Sequence, residues 1–381
     1  MQLDYKLSTQ KINLYKVMIF FKNLFKIFLI FIKQSFNYLI ITANQNLLSI
    51  KNEPKIFYGG ARKGEHGGPL VKIKKLTKFF PEKRYRFNLV YLLSNNNFLS
   101  ENSLKLLKRK KLPIILNQNG VFYPGWFKGN YKRRNLANSK LYHLADYVIW
   151  QSEFCKKASE KFLGERDGEG RILYNPVDTN IFFPKFDFSR SNFTFLITGN
   201  IRKENNYRIN SVFDALKELL KKNNKIHLNI AGVLEDKEYL LANASKLKII
   251  DSITFIGKYT QKEAPYIYQN ADAYITLSFQ DNCPSAVLEA MSSGLPIIYS
   301  ESGGIPELVD KNSGIGLPVN ESWNSIEIPE KKDLIKSIFE IIERKKEMSE
   351  AARTRAVNLF NIEKWVKSHE EIFENLLENN I

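Results

Sequence analysis

The sequence predicts an α/β protein in which two parallel-sheet domains face each other across a cleft, preceded by an amphipathic helix. Three observations predict this class. The 381 residues are 44% hydrophobic, which is enough to bury a core in each of two domains. From residue 55 onward, apolar strand-like runs alternate with amphipathic helical runs, as in parallel α/β domains. Before that point, residues 11–42 form an apolar run that lysines interrupt.

The first element, within residues 1–50, is predicted to be an amphipathic helix. At about 100° per residue, Lys11, Lys22, Lys26 and Lys33 fall within an arc of about 60°, which leaves a broad face of Ile, Phe and Leu. The lysines divide the run into pieces shorter than the roughly 20 apolar residues that a spanning helix needs. We expect this helix to lie in the plane of an anionic membrane surface. A helix packed on the domain and a true span are the alternatives.

Positive charge is concentrated in the first half of the chain. Residues 1–190 hold 34 Lys and Arg against 13 Asp and Glu, a net +21, whereas the remainder holds 23 against 27, a net −4. This asymmetry indicates an anionic partner for the first half, either a membrane or a nucleic acid. Together with the amphipathic helix, we take the membrane as the expected partner and expect no nucleic acid. A lysine-rich compositional bias is the alternative explanation.

The cysteine content bears on metal binding and on the compartment. The two cysteines, Cys155 and Cys283, are too few and too far apart in sequence for a disulfide framework or a zinc site. The sequence therefore predicts a protein of a reducing, cytoplasmic compartment, with no metal site.

Two series of strand-like runs predict the two domains. In residues 51–185 the runs are KIFYG, FNLVYLL, LPIILN, DYVIWQ and RILYN, and in residues 186–360 they are FTFLITG, IHLNIAG, ITFIG, AYITLS and PIIYS. The segment NPVDTNIFFPKFDFSRSN lacks either period and reads as the connector. Residues 361–381 are predicted to form a helix that crosses back to the first domain. Ligands of such domains bind at the carboxyl ends of the strands, so the cleft is the expected site.

Two acids follow one of these strands, within SFQDNCPSAVLEAMSSGLPIIYSESGGIPELV, residues 278–309. Asp281 lies in the loop after the strand, and Pro284 suits the first turn of the next helix, which places Glu289 in its second turn. Both carboxylates can then face the cleft and accept hydrogen bonds from the hydroxyls of a sugar or a ribose. Solvated acids on a helix surface are the alternative.

A glycine turn and a basic loop follow two other strands of the same sheet. In SESGGIPELV, Ser302, Gly303 and Gly304 precede a helix, whose free N–H groups favour a phosphate. The loop GNIRKENNYR offers Arg202 and Lys203 nearest its strand, and these are preferred to Arg208 further along. Cations there can neutralise a diphosphate leaving group. An ordinary glycine turn and a solvated loop are the alternatives.

These motifs resemble those of the retaining glycosyltransferases of family 4, which have the GT-B fold of two facing Rossmann-like domains. The matching segments are DNCPSAVLE, AMSSGLP and GGIPE in the second domain, and RILYNPVDTNIFFP at the end of the first. The resemblance covers residues 55 to about 375. Asp281 stands where the family usually has glutamate, and Asn200 follows Gly199 where the family usually has arginine.

The resemblance implies roles for the second-domain residues. Glu289 would hold the ribose of a nucleotide-sugar, Asp281 would touch the transferred sugar, and Arg202 and Lys203 would meet the diphosphate. It further implies a donor-binding set consisting of Gly199, Pro284, Ser302, Gly303, Gly304 and Glu307. No Asp-x-Asp pair occurs in the sequence, which suits the metal-independent chemistry of the family.

A glycine-rich loop, YGGARKGEHGGPL, joins the first strand to a helix. In the family this loop faces the donor diphosphate and the acceptor, which makes Gly60, Gly67 and Gly68 candidates for close backbone approach. His66 touches a substrate or is a surface histidine. The region LNQNGVFYPGWF offers amides from Asn117 and Asn119, and aromatic rings that either stack on sugars or pack in the core.

The resemblance and the charge pattern together predict a retaining transferase that moves a sugar from a nucleotide-diphosphate-sugar to an acceptor hydroxyl. We expect no cofactor beyond the donor, and a saccharide or lipid-linked saccharide as acceptor, in cell-surface polysaccharide or lipid-linked saccharide biosynthesis. The expected location is the cytoplasmic face of a membrane. Because fold does not fix reaction, an epimerase or a phosphorylase on the same fold is one alternative. A non-enzymatic basic protein that binds membrane or nucleic acid is another.

Overall fold

The computed structural model describes residues 2–44, 53–61, 64, 68–94, 98–185, 192–222 and 225–378. These residues form two parallel sheets flanked by helices and one long N-terminal helix. The fold class predicted from the sequence is confirmed.

The first domain is built on a five-stranded parallel sheet, in the order β1-β2-β3-β4-β5. Its strands are β1 Ile56–Phe57, β2 Leu89–Leu93, β3 Ile114–Gln118, β4 Tyr147–Trp150 and β5 Glu169–Ile172. Every residue of β2 and β3 is buried, as expected for aliphatic runs covered on both faces. The helices between the strands are α2 Gly68–Phe79, α3 Glu101–Arg109, α4 Tyr131–Leu144 and α5 Glu153–Leu163.

The helices of this domain cover both faces of the sheet. Residues of α3, α4 and α5 share one apolar cluster with Leu92, Leu116 and Val148 of the strands. Residues of α2 share the opposite cluster with Tyr91 and Ile149. The first turn of α5 is fixed by its N-cap Ser152, whose hydroxyl oxygen accepts a hydrogen bond from the backbone N–H of Cys155.

The second domain is built on a six-stranded parallel sheet, in the order β11-β10-β9-β6-β7-β8. Its strands are β6 Phe193–Thr198, β7 Ile226–Ala231, β8 Ile253–Gly257, β9 Ala273–Thr276, β10 Ile297–Ser300 and β11 Gly314–Leu317. Its helices are α6 Tyr207–Leu220, α7 Lys237–Lys246, α8 Ala264–Gln269, α9 Ser285–Ser292, α10 Ile305–Leu308 and α11 Lys331–Leu359. The strand order reverses between β6 and β9, which is where ligands bind in doubly wound sheets.

One strand of this sheet, β11, lies outside the predicted series. Its sequence GIGL contains two glycines, which lower strand propensity. A Cβ at Gly314 would lie 2.3 Å from the carbonyl oxygen of Ile297 on β10. Close pairing with β10 therefore requires glycine here.

The last helix, α12 Ile362–Glu378, lies against the first domain although it follows the second in sequence. Trp365, Ile372 and Phe373 of this helix are buried in the same cluster as Tyr58 and Tyr91. The helix joins the two domains, because its predecessor α11 packs on the second sheet.

The N-terminal helix, α1 Gln2–Ala43, attaches to the first domain by its C-terminal end and by its polar side. Asn37, Ile41 and Asn44 are buried there, and the Lys33 ammonium lies 4.7 Å from the centre of the Phe98 ring. Asn37 Nδ2 donates a hydrogen bond to the carbonyl oxygen of Phe98, 2.9 Å away.

The opposite side of α1 is apolar and faces away from the domain. Phe28, Phe31, Phe36 and Leu39 are each more than half exposed. This arrangement is the reverse of a helix on a water-soluble surface, whose apolar stripe faces the core. Within the described residues, one stretch, Phe20–Ala43, is long and apolar enough to cross a bilayer, as judged by length and composition alone.

Candidate active site

A cavity of about 630 Å³ opens between the two domains at the carboxyl ends of their strands. The first domain contributes Lys72 and Asn119 to its wall, and the second contributes Arg208, Asp281 and Asn282. The cavity lies at the carboxyl ends of β6 and β9, the neighbouring strands between which the strand order reverses. We refer to this cavity as the cleft.

The loop that carries Asp281 lines the second-domain wall of the cleft, and the glycine turn of residues 302–304 packs behind it without lining the cleft. The amide of Gln280 donates a hydrogen bond to Ser302 Oγ, 3.0 Å away, and the amide of Gly304 donates to the carbonyl oxygen of Asp281, 2.8 Å away. Gly303 has a φ of +68°, and a Cβ there would lie 2.5 Å from the same carbonyl oxygen. The glycine pair thus allows close packing of the loops, and the Gly304 amide is already engaged.

Asp281 lies in this wall and faces the charge of Arg208. Burial raises the pKa of the Asp281 carboxyl above its usual value, while Arg208 and the backbone N–H groups of Asn282 and Cys283 act in the opposite direction. A carboxylate held in this way can accept hydrogen bonds from ligand hydroxyls. Pro284, directly before α9, also lines the cleft.

Glu289 occupies the buried side of α9, and its side chain does not line the cleft as Asp281 does. Tyr268 OH donates a hydrogen bond to Glu289 Oε2, 3.1 Å away. Burial raises the pKa of the Glu289 carboxyl, and the positive charge of Lys75 in the first domain opposes this shift. Glu289 therefore lies close to the junction of the domains.

The predicted cations after β6 separate into two groups. The Arg202 side chain is 73% exposed, and its guanidinium lies 3.8 Å from the Glu204 carboxylate. The backbone N–H of Lys203 donates a hydrogen bond to the Glu235 carboxylate. Arg208, in the first turn of α6, lines the cleft. Arg208 stands further from the strand in sequence than the other two, which is why the sequence pattern favoured them over Arg208. Because α6 begins at Tyr207, its first turn carries Arg208 to the cleft.

Of two further predicted donor residues, Gly199 lines the cleft and Glu307 lies away from it. Gly199, with a φ of +141°, ends β6 and lines the cavity. Glu307 lies at the domain junction, where its carboxylate accepts hydrogen bonds from the amides of Glu153 and Phe154 at 2.8 and 2.9 Å. Tyr174 OH also donates to it, at 3.2 Å. Glu307 thus caps the N-terminus of α5 from the opposite domain.

The first-domain wall contains a buried cation that the sequence analysis did not identify. Lys72 is 4% exposed, and its Nζ donates hydrogen bonds to Asn117 Oδ1 at 2.8 Å and Asn119 Oδ1 at 3.1 Å. Burial lowers the pKa of Lys72 to about 8. Lys72 belongs to the basic tract KIKKLTK, and such tracts are usually solvated faces. Only the helical period, which groups residues 72 and 76 on one side of α2, distinguishes this lysine from its neighbours.

A chain of hydrogen bonds orients Asn117 toward Lys72. His369 Nδ1 lies 2.8 Å from the Trp365 carbonyl oxygen, which only accepts, so Nδ1 carries the proton. Tyr91 OH therefore donates to His369 Nε2 at 3.0 Å, and Asn117 Nδ2 donates to the Tyr91 oxygen at 2.9 Å. The amide oxygen of Asn117 is left facing the Lys72 ammonium. Burial lowers the pKa of His369 to about 3, which keeps the ring neutral.

A second set of hydrogen bonds crosses between the domains at the base of the cleft. Gln151 Nε2 donates to Asn119 Oδ1 at 2.6 Å, and Asn175 Nδ2 donates to Gln151 Oε1 at 2.9 Å. The same Asn175 nitrogen donates to the carbonyl oxygen of Cys283 at 2.7 Å. Asn119 is thus fixed between Lys72 and the second domain.

The glycine-rich loop after β1 is described only in part. A Cβ at Gly60 would lie 2.7 Å from Asn37 Nδ2, so this glycine accommodates α1. Gly68 is the first residue of α2. His66 and Gly67 lie outside the described residues.

Several polar atoms of cleft residues are buried without a partner among the described residues. They are Asn175 Oδ1, Arg208 Nε, Gln280 Oε1 and Asn282 Oδ1. Buried polar groups are normally hydrogen-bonded, and leaving one unpaired costs about 1–3 kcal/mol. These four residues therefore bring to the cleft polar groups whose hydrogen bonds the described residues do not complete.

Comparisons with known proteins agree with this geometry. Residues 178–355 match the family model described as glycosyl transferases group 1. This match confirms the predicted resemblance for the second domain, at the level of the group 1 type. N-acetyl-alpha-D-glucosaminyl L-malate synthase from Bacillus anthracis is 23% identical over 258 residues, which is 63% of this chain and 64% of that protein. The chain spans 50% and 64% of the length of the two curated relatives it matches first.

Solved structures share the arrangement of the two domains. Sucrose-phosphate synthase from Thermosynechococcus elongatus superposes with a TM-score of 0.63 at 15% identity, over 77% of this chain and 75% of that one. HepE from Anabaena in complex with UDP-glucose superposes with a TM-score of 0.60 at 17% identity, over 81% and 82%. These similarities confirm the GT-B fold.

Proposed function

We propose that this chain is a retaining glycosyltransferase that moves a sugar from a nucleotide-diphosphate-sugar to an acceptor hydroxyl. One observation carries the proposal: Asp281, Arg208 and unpartnered polar atoms meet in a single cleft between two Rossmann-like domains. Hydroxyls of the donor would pair with the buried amide oxygens, and its diphosphate would pair with the arginine. The UDP-glucose bound to the structural neighbour HepE supports a donor of this class.

We propose that the leaving diphosphate is stabilised from both walls of the cleft. As the bond between the anomeric carbon and the diphosphate oxygen breaks, negative charge grows on that oxygen. Arg208 on one side and Lys72 on the other would meet this charge, and the buried position of Lys72 strengthens the interaction. Below the pKa of Lys72, about 8, the side chain is mostly cationic.

Retention then follows without an enzyme nucleophile. The acceptor oxygen bonds to the anomeric carbon on the face that the diphosphate leaves, and the acceptor proton passes to a leaving phosphate oxygen. Asp281 would orient the sugar by accepting from a hydroxyl. We propose that the ribose reaches Glu289, which lies behind the cleft lining at the domain junction, and that it pairs with Oε1 because Oε2 is engaged by Tyr268. The route assigns no step to a metal or further cofactor.

The place of action that we propose is the cytoplasmic face of a membrane. The exposed apolar side of α1 and the net +21 of residues 1–190 support an anionic lipid surface as partner. A saccharide or lipid-linked saccharide acceptor fits that location, as does a role in cell-surface polysaccharide or lipid-linked saccharide biosynthesis.

The proposal is tested by incubating the full chain with UDP-glucose, GDP-mannose and ADP-glucose, with and without a membrane lipid extract. We expect release of one nucleoside diphosphate that depends on the extract, with the new glycosidic bond retaining configuration by NMR. Asp281→Asn should lower transfer about 100-fold, which is the scale for one transition-state hydrogen-bond partner. Conversion of the donor alone to an epimer would contradict transfer and favour an epimerase.

A further inference from the structure

A second cavity, about 670 Å³ in volume, lies between α3 and α4 on the outer face of the first domain. We propose that this groove holds the hydrocarbon chain of a phosphate-bearing lipid, whose saccharide head is the acceptor in the cleft. This inference rests on the proposed function and names its acceptor class. The apolar lining consists of Leu92, Leu99, Leu104, Leu116, Leu141 and Leu144.

The groove is an apolar channel that the protein does not fill with its own side chains. Leu92 and Leu116 of the sheet form its floor, and Leu104 and Leu141 form its sides. Leu136, at the mouth, is 66% exposed. The seven leucines in the lining match a hydrocarbon chain in chemistry, because they offer dispersion contacts along the channel.

Charge at the mouth of the groove selects an anionic head group. Lys105, Lys140 and Arg133 lie at the rim with one acid, Glu101. Glu101 lies 3.0 Å from each lysine ammonium, whereas no contact among the described residues engages the Arg133 guanidinium. The four groups carry a net charge of +2, and Arg133 remains available to a phosphate.

One end of the groove reaches the helix that we place on the membrane. Gln34 of α1 lines the groove, and the neighbouring Phe31 is 64% exposed on the apolar side of the same helix. Lipids in contact with α1 would therefore lie at the entrance of the groove. The composition of Phe20–Ala43 is compatible with a bilayer, which identifies the source of the occupant as membrane lipid.

At Ser94 the wall of the groove is one hydrogen bond away from the cleft. Ser94 lines the groove, and its hydroxyl oxygen accepts a hydrogen bond from the Asn119 amide, 2.8 Å away. Asn119 lines the cleft and contacts Lys72. A lipid whose chain lies on the leucines can thus present its head to the reacting centre.

The test uses dodecyl phosphate below its micelle concentration, titrated into the full chain in a calorimeter. Ala137→Trp places a large ring in the groove from an exposed position on α4, and Lys132→Trp places the same ring on α4 outside the groove. We expect Ala137→Trp to weaken binding at least tenfold and Lys132→Trp to change it less than twofold. Inorganic phosphate alone should bind at least tenfold more weakly than dodecyl phosphate.

Either of two results overturns the inference. Ala137→Trp that binds dodecyl phosphate as tightly as the wild type would show that the chain lies elsewhere. Inorganic phosphate that binds as tightly as dodecyl phosphate would show a site for the head group alone. Arg133→Glu provides a second variant should Ala137→Trp fold poorly, and it should weaken dodecyl phosphate while leaving dodecanol unchanged.

A parallel titration with UDP-glucose separates this inference from the proposed function. Ala137→Trp should bind UDP-glucose like the wild type, because the groove lies outside the cleft. If the wild type binds dodecyl phosphate in the groove but binds no nucleotide-sugar, the donor proposal fails and the lipid site stands. If UDP-glucose binds and the groove variants have no effect on dodecyl phosphate, the lipid site fails alone.

Discussion

The two walls of the cleft are built in different ways. The second-domain wall leaves Arg208 Nε, Gln280 Oε1 and Asn282 Oδ1 buried without partners among the described residues. On the first-domain wall, Lys72 is hydrogen-bonded to Asn117 and Asn119. Three of the four unpartnered cleft atoms thus lie on the second wall, where a ligand has more hydrogen bonds to complete. The first wall instead holds one charge in a fixed position.

Removing the cleft arginine should have the largest effect on transfer. Arg208→Met should lower kcat/KM for transfer about 1,000-fold, because the cleft-lining cation at the developing diphosphate charge is lost. Arg202→Met, in the exposed loop before α6, is the matched control and should stay within twofold. The measurement is initial-rate kinetics with UDP-glucose. Equal losses in both variants would remove the distinction between the two arginines.

Removing the fixed charge of the first wall should have the next largest effect. Lys72→Met should lower kcat about 100-fold, whereas Lys78→Met, exposed on the same helix, should not. Because the cation is the active form and burial lowers the pKa of Lys72 to about 8, wild-type transfer should fall as the pH rises through about 8. Lys72→Arg should move that alkaline limb to higher pH. A wild-type profile that stays flat to pH 10 would contradict the role.

The hydrogen-bond chain behind Lys72 predicts a pH-dependent stability. Burial lowers the pKa of His369 to about 3 in the folded state, against about 6.5 in an unfolded chain. The contribution of the neutral ring is complete above pH 6.5 and is lost as the pH falls toward 3, at about 1.4 kcal/mol per pH unit. Urea unfolding at several pH values should show this slope for the wild type and a smaller one for His369→Gln. Parallel curves would contradict the assignment.

Weakening the contact that Glu307 makes between the two domains should have the smallest effect. Glu307→Gln removes the charge that caps α5 from the second domain, which should cost about 1–2 kcal/mol of unfolding free energy. Glu321→Gln, whose ion pair with Lys157 is exposed, should cost about 0.5 kcal/mol or less. Thermal unfolding followed by circular dichroism compares the two. A larger loss in the exposed variant would place the stabilising contact elsewhere.

The two sheets and the loops of the second domain could be predicted from the sequence, because the patterns that specify them are local. Apolar runs of strand length gave β2, β3 and β6 to β10, and the position of Asp281 directly after a strand placed it in the cleft. The glycines of β11 obscured a strand whose pairing depends on a neighbour. The lysine arc of α1 was visible in the sequence, but which side would face the domain was not.

The first-domain wall was harder to predict, because its chemistry depends on contacts that are distant in sequence. Lys72 lies in a basic tract that resembles a solvated face, and only packing against Asn117 and Asn119 reveals its burial. His369 reaches Tyr91 across 278 residues of chain. Arg208 was ranked behind Arg202 and Lys203 because it stands further from the strand in sequence, whereas the first turn of α6 brings it to the cleft.

The account is tested most directly by a crystal structure of the full chain with UDP-glucose bound. We predict that the diphosphate lies between Arg208 and Lys72, within about 4–6 Å of both charges, with hydroxyls of the sugar or ribose on Asn282 and Asp281. A nucleotide-sugar bound outside the cleft, or a cleft that stays empty at saturating UDP-glucose and other nucleotide-sugars, would contradict the account.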